Sequence, residues 1–355
     1  MKKNTLLTLI CVSITHLASA QVLYSENFDN LTVGNVSTDL TGQTSGQGNW
    51  HTIYDSSSPN ATLNWFQIQT ETNKDKVITL QSPAPPIFGN TALQQRNIDQ
   101  LINNRTQGND VIKFEVDFYT GSQHNDSPFD YVSFGFYDNN NANLASANLI
   151  AHFIFISTTG EFYGAVNNGN SSMVWTEKVP LGKNFKELFL PFDTWVKCIF
   201  YADYTNKKIY YELPSLNVVI VHDFLKYDAD PNRFNKFIPK SIMMFSDNKQ
   251  TASINKFDNF KITALKNVPL NVSAFFNEKF NIFPNPATDI VNITNTDNID
   301  VEQIDLYDLS GKKIKEERFN ADDNIQLNIE NLQSGIYLLQ LQTNLGSAVK
   351  KLIKK

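Results

Sequence analysis

Apolar residues recur at every second position in one short stretch after another. In KFEVDFYTG, residues 113–121, Phe114, Val116 and Phe118 alternate with Lys113, Glu115, Asp117 and Tyr119. An extended chain sends successive side chains to opposite faces, so this stretch predicts a strand with one apolar side and one polar side. DYVSFGFYD (130–138), LIAHFIFIS (149–157), WVKCIFYADY (195–204), KKIYYEL (207–213), LNVVIVHDF (216–224), KSIMMFS (240–246) and INKFDNFKIT (254–263) likewise read as strands. DNNNAN, NNGNSS and DYTNKK lie between them and are rich in turn formers. Tyr204-Thr205-Asn206 predicts a hairpin. One stretch, TALQQRNIDQLINN at 91–104, reads as a helix. Many strands and almost no helix predict an all-β fold, a two-sheet jelly-roll sandwich over residues 21–265.

The pattern breaks in a connector at 266–276, where Pro269 interrupts it, and a second strand set follows over 277–355. DIVNIT, VEQIDLYDLSG, KKIKEERF, NIQLNIENL, GIYLLQLQT and AVKKLIKK predict a small immunoglobulin-like β-sandwich. Ahead of them, in FNIFPNPATDIVNIT (280–294), Pro284 and Pro286 fix φ and withhold two backbone donors. They predict an extended lead-in, with strand pairing only after them. Asn285 is pushed towards extended geometry by the proline that follows. DLSGKK (308–313) predicts a tight turn at Gly311, and NLQSGIYLLQL (331–341) a turn and then a strand bending at Gly335.

FPNPATDIVNI, IDLYDLSGKKI, LQSGIYLLQL and the ending KKLIKK stand in this order and at these spacings. Together they resemble the type A C-terminal sorting domain of proteins exported by the type IX secretion system of the Bacteroidetes. The resemblance makes Pro284, Asn285, Pro286, Gly311, Gly335 and Tyr337 the sorting-motif residues. It implies that an outer-membrane apparatus recognises the folded tail and that a sortase-like peptidase cleaves it. The product would then be anchored at the surface or released. The other end fits this route. Lys2 and Lys3, the apolar run LLTLICVSI (6–14) and Ala18-Ser19-Ala20 read as a signal peptide over 1–20, leading to the periplasm. No later stretch approaches the roughly 20 apolar residues of a membrane span, so no transmembrane segment is expected in the mature chain.

Composition narrows the remaining classes. The chain has 355 residues, 41% apolar and 19% charged, enough for two packed domains. A net charge of −6 argues against a nucleic-acid-binding surface. With Cys11 in the leader, Cys198 stands alone, which excludes an intramolecular disulfide and reads as a small buried residue. The five histidines show no spacing that suggests a zinc site or a paired base.

The front domain opens LYSENFDNL (23–31) and closes INKFDNFKITAL (254–265). An acidic residue before an aromatic at the start, and Asp-Asn between aromatics at the end, are similar to concanavalin A-like jelly rolls. That group includes laminin-G-like modules, lectins, carbohydrate-binding modules and laminarinase-type glycoside hydrolases. The resemblance implies a structural calcium where first and last strands meet, with Glu26 and Asp258 as oxygen ligands. DADPNRFNKFIP (228–239) imitates a calcium loop through Asp228, Asp230 and Asn232, but it lacks the central glycine and has Pro239 where a bidentate Glu belongs.

Glycoside hydrolysis needs two carboxylates flanking the scissile bond. Glu115 and Asp117 share one face of a strand, but Tyr119 and Thr120 stand where the hydrolases carry their second glutamate. Sugar binding needs flat aromatics beside a few polar groups. Trp50 and Tyr54 in GNWHTIYD, Trp65 in LNWFQIQ and Trp175 in VWTEK are the candidates, whereas Trp195, inside an apolar strand, reads as core. The expectation is a front domain that binds a polysaccharide without cleaving it. The alternatives are a hydrolase or lyase built from carboxylates of distant strands, and a structural surface protein with no small ligand.

Overall fold

The computed structural model describes residues 20–355 apart from 56–61, 86, 88, 125–129, 143–148, 170–175, 183–185, 217, 231–232, 248–250, 270–278, 296–298, 323 and 344–345. The signal peptide, Trp175, Asn232 and most of the connector therefore lie outside the described residues. The front domain begins β1 (Gln21–Glu26), β2 (Gly34–Asn35), β3 (Trp50–Tyr54), β4 (Phe66–Glu71), β5 (Asp75–Gln81), β6 (Thr91–Arg96), α1 (Ile98–Asn103), β7 (Val111–Tyr119), β8 (Tyr131–Tyr137) and β9 (Leu149–Ile156). It continues β10 (Glu161–Asn167), β11 (Thr176–Pro180), β12 (Leu188–Phe189), β13 (Trp195–Asp203), β14 (Lys208–Leu213), β15 (Val218–Asp223), α2 (Arg233–Lys236), β16 (Ser241–Ser246) and β17 (Ile254–Leu265).

These strands form two antiparallel sheets. The first runs β15-β14-β13-β7-β17-β5-β4-β2, with β1 also on β17; the second runs β11-β10-β9-β8-β16-β6-β3, with β12 on β10. Every strand predicted between residues 113 and 263 is present, and the inward sides meet in one core. Phe114, Phe118, Phe134, Phe153, Phe200 and Phe257 are fully buried there, with Phe114 stacked on Phe200 at 4.9 Å. Full burial of each such ring is worth about 1.5–3 kcal/mol, which gives the abundance of Phe its use. Cys198 points into the same core, and burial pushes its thiol pKa well up, leaving it unreactive. The β13–β14 hairpin turns as predicted, with the Asp203 carboxylate accepting the N–H groups of Thr205 and Asn206.

The predicted helix at 91–104 is half wrong. Thr91–Arg96 is β6, paired on one side with β16 and on the other with β3; only Ile98–Asn103 is helical. Ala, Leu and Gln favour helix locally, but two strand partners satisfy the whole backbone ladder here and override that preference. Leu93 joins the core, while Gln94 donates to Asn139 Oδ1 and Ser241 Oγ, both at 3.1 Å. Asn97, at φ 60°, ends the strand and starts the helix.

The tail comprises β18 (Phe280–Phe283), β19 (Ile290–Asn295), β20 (Val301–Asp308), β21 (Lys313–Asp322), β22 (Asn324–Asn328), β23 (Gly335–Thr343) and β24 (Gly346–Lys354). They form two sheets, β18-β19-β22 and β21-β20-β23-β24, around Val291, Ile304, Leu339 and Leu352. The prolines are not a lead-in to pairing. β18 precedes them and already pairs with β19, so Pro284 and Pro286 shape the link between two strands. Gly311 takes φ +84° in the predicted turn, where Asp308 Oδ1 accepts from Ser310 and Lys312 N–H. Gly335 opens β23, and Tyr337, on that strand, donates its hydroxyl to Gln333 O at 2.9 Å.

The outer face of the first sheet is not uniformly polar. Ile199, Tyr201, Val219 and Val221 point away from the front core yet are buried, in one apolar cluster with the tail's core residues.

Candidate functional site

The described surface has a pocket of about 440 Å³ at the end of β6. Tyr24 of β1, Ser45, Asn49, His51 of β3, Gln95 and Arg96 of β6 and the start of α1 enclose it. Its walls are built locally before they meet. The Asp39 carboxylate accepts the N–H groups of Thr41, Gln43 and Thr44, at 2.8, 2.7 and 2.7 Å. Burial opposes ionisation, but these bonds outweigh it and hold the carboxyl at about 2. The loop so folded places Gly42 at φ +71° against Ile53, where a side chain would clash at 2.7 Å.

Gly42 O lies 3.1 Å from His51 Nδ1. A carbonyl can only accept, so Nδ1 carries the ring proton and Nε2 keeps its lone pair. Burial and then the Arg96 charge pull the His51 pKa down, keeping the ring neutral at neutral pH. Arg96 Nε donates to Gln94 Oε1 at 2.8 Å, while its Nη2 is buried with no partner. Among the described residues no carboxylate lies within ion-pair distance of this guanidinium. Burial lowers its pKa and the more distant Asp39 charge opposes that. Gln95, oriented to donate to Gly48 O and Asn49 O at 3.1 and 3.2 Å, ties β6 to the opposite rim.

The residues predicted from sequence fall elsewhere. Trp50 is 0% exposed, packed against Phe28 and Phe260 at 6.0 and 5.4 Å, and Trp65 is 5% exposed. Neither offers a face to a sugar. Tyr54 is half-buried and meets Trp65 edge-on at 5.3 Å. Trp195, expected in the core, lies on the outer face beside Tyr119 at 5.4 Å. Lys74 stands 4.7 Å from the Trp195 ring and Lys256 4.8 Å from the Tyr119 ring, covering one face of each.

Glu115 and Asp117 share the outer face of β7, as their spacing requires, but each is engaged. Glu115 pairs with Lys113 at 2.9 Å, and Asp117 takes Lys74 at 2.5 Å and Asn259 Nδ2 at 2.9 Å. Burial alone would raise the Asp117 pKa; Lys74, Asn259 and Lys197 bring it below its ordinary value. Asp258 lies across from Asp117 on β17, and burial raises its pKa although Lys74 is 3.4 Å away.

The expected calcium pair does not form. Glu26 is opposite Phe260, a core residue, and accepts Phe28 N–H at 2.8 Å, whereas Asp258 faces Asp117 and Lys74 on the outer side. One ion cannot take both carboxylates from opposite faces of a sheet. Asp228 of the imitation calcium loop is paired with Lys236 at 2.9 Å. His51, Gln95 and Arg96 escaped the sequence reading because β6 looked helical and the pocket's residues come from three separated segments. The reversal after Arg96, at Asn97, was the available signal.

Residues 281–355 match the family described as Secretion system C-terminal sorting domain. No curated protein matches the chain. Among solved structures, a sialidase matches 73% of this chain at 11% identity and a TM-score of 0.40; the chain covers only 20% of that protein's length. The catalytic domain of a glycoside hydrolase family 131 protein from Coprinopsis cinerea matches 68% of this chain and 94% of its own, at 11% identity and a TM-score of 0.40. An endo-β-1,4-glucuronan lyase from the fungus Trichoderma reesei matches 59% of this chain and 90% of its own, at 6% identity and a TM-score of 0.36. Likenesses this distant assign no activity. No helix among the described residues is long and apolar enough to cross a membrane. The tail, by contrast, carries its family's sequence from residue 281 to residue 355: it is a type IX secretion C-terminal sorting domain, and the protein that bears it is secreted or attached at the cell surface.

Proposed function

We propose that the front domain is a non-catalytic carbohydrate-binding module that the tail delivers outside the cell. The observation that carries this reading is the polar pocket at the end of β6. A recess lined by an imidazole, a guanidinium and side-chain amides suits a ligand made of hydroxyl groups. The carboxylates that hydrolysis would need are drawn into lysine pairs: Glu115 with Lys113, and Asp117 with Lys74. The test is affinity electrophoresis of the mature full chain in gels containing neutral and acidic polysaccharides. Retardation by at least one polymer, weakened by Gln95→Ala or Gln100→Ala, is the expected result. Unretarded migration in every gel would remove the binding reading. Release of new reducing ends from any polymer would overturn its non-catalytic half.

A further inference from the structure

Arg96 is a half-buried residue of the pocket wall that makes no ion pair among the described residues. Its Nε is satisfied by a neutral amide oxygen, Gln94 Oε1, and its Nη2 is buried without a hydrogen-bond partner. Buried charged donors are expensive to leave unpaired. The nearby acid does not discharge the debt. Asp39 has its carboxylate committed to the backbone of the 41–44 turn and makes no ion pair with Arg96. The other groups that line the pocket bring no negative charge either: Tyr24, Ser45, Asn49, His51, Gln95, Asn97, Gln100 and Leu101 are neutral when the imidazole is. Desolvation, and then the nearby Glu26 charge, push the Tyr24 pKa far up and keep its hydroxyl protonated.

Of the residues that line the pocket, Arg96 alone carries a charge, with the Asp39 and Glu26 carboxylates standing behind the wall. A neutral sugar would leave the guanidinium unpaired. An anionic substituent on a sugar would pair it, while ring hydroxyls reach His51 Nε2, which is an acceptor because Nδ1 is held by Gly42 O. We propose that this pocket selects an anionic polysaccharide, seating a sugar carboxylate or sulfate ester against Arg96. Arg suits such oxyanions through its directed N–H groups. This inference rests on the carbohydrate-binding reading and narrows it.

The experiment is isothermal titration of the mature full chain with oligosaccharides of three kinds: a polyuronate, a sulfated galactan and a neutral β-glucan. Binding to one or both anionic series and not to the glucan is expected. The arm that binds tells carboxylate from sulfate. Arg96→Gln should weaken it roughly ten- to hundredfold, the value of one charge-assisted hydrogen bond. Arg96→Lys, which keeps the charge, should retain part of the affinity. Raising the salt concentration should weaken wild-type binding, and this reading needs no variant to fold. If the glucan binds as tightly as the anionic series, or if folded Arg96→Gln binds the anionic series like wild type, the inference is overturned while carbohydrate binding stands. If none of the three binds, both fall together.

Discussion

Asn285 reaches across to the last strand of the chain and accepts the backbone N–H of Ile353 through Oδ1 at 2.9 Å. Its Nδ2 donates to Lys351 O at 2.8 Å, so one side-chain amide copies a strand's pairing along the outer edge of β24. Two residues on, Ala287 N–H donates to Ile353 O and Ala287 O accepts from Lys355, each at 2.8 Å. The Pro-Asn-Pro-Ala run thus closes an edge that would otherwise invite other strands. This ties the opening motif of the sorting domain to its basic ending.

Asn285→Ala should remove both side-chain bonds and cost the tail about 1–2 kcal/mol. Hydrogen exchange checks it: the Ile353 amide should lose protection while Leu339, in the neighbouring strand, keeps its own. Unchanged protection at Ile353 would show that Asn285 does not hold the edge.

Trp50 is a core residue, so Trp50→Ala should cost about 3–5 kcal/mol. The melting temperature measures this directly. A variant that melts like wild type but loses polysaccharide affinity would return Trp50 to the role of a stacking platform.

His152 is fully buried on β9 with neither ring nitrogen bonded, and burial lowers its pKa from 6.5 to about 3. The sign follows from proton counting. Above the unfolded value both states are neutral and the group adds nothing to pH dependence. As pH falls from about 6.5 towards 3, the unfolded chain takes up a proton that the native state refuses, and stability drops by up to about 1.4 kcal/mol per unit. In His152→Leu this part of the slope should vanish, and stability at neutral pH should hold or rise. Urea unfolding at several pH values compares the two proteins; identical slopes would mean that His152 is protonated or solvated in the native state.

Removing the tail after residue 265 should leave the front domain folded, because its own core is complete without the tail. It should also uncover Ile199, Tyr201, Val219 and Val221. The truncated protein should therefore have a lower urea midpoint and bind an apolar dye or self-associate, whereas the full chain does neither. A truncated domain as stable and as monomeric as the full chain would mean that the tail does not cover this face.

Some of this was legible locally. Alternation in residues 113–119 reports the pleat directly, because successive side chains must take opposite sides whatever lies on them. β13 was less plain. Val196, Cys198 and Phe200 face the front core while Ile199 and Tyr201 are buried on the other side, and the sequence reading, which took the segment simply as a strand, did not say what covers that second face. The sorting motifs were readable through their resemblance to a known family; the turn at Gly311 could be read locally, whereas the reach of Asn285 to the last strand could not.

The sequence by itself determined that the chain is a run of strands in two sets, the second of which directs export. It could not determine what covers each face. β6 became a strand only because β16 and β3 lie on either side of it, against the helical preference of its residues. Trp50 and Trp65 were committed to the core, and Trp195 to the outer face, by sheet packing that a lone indole does not announce. The pocket itself joins positions 24, 45–51 and 95–101, and the unpaired state of Arg96 is a property of that meeting. Charge pairing is decided by distance in space, and distance between such separated segments is what only folding sets.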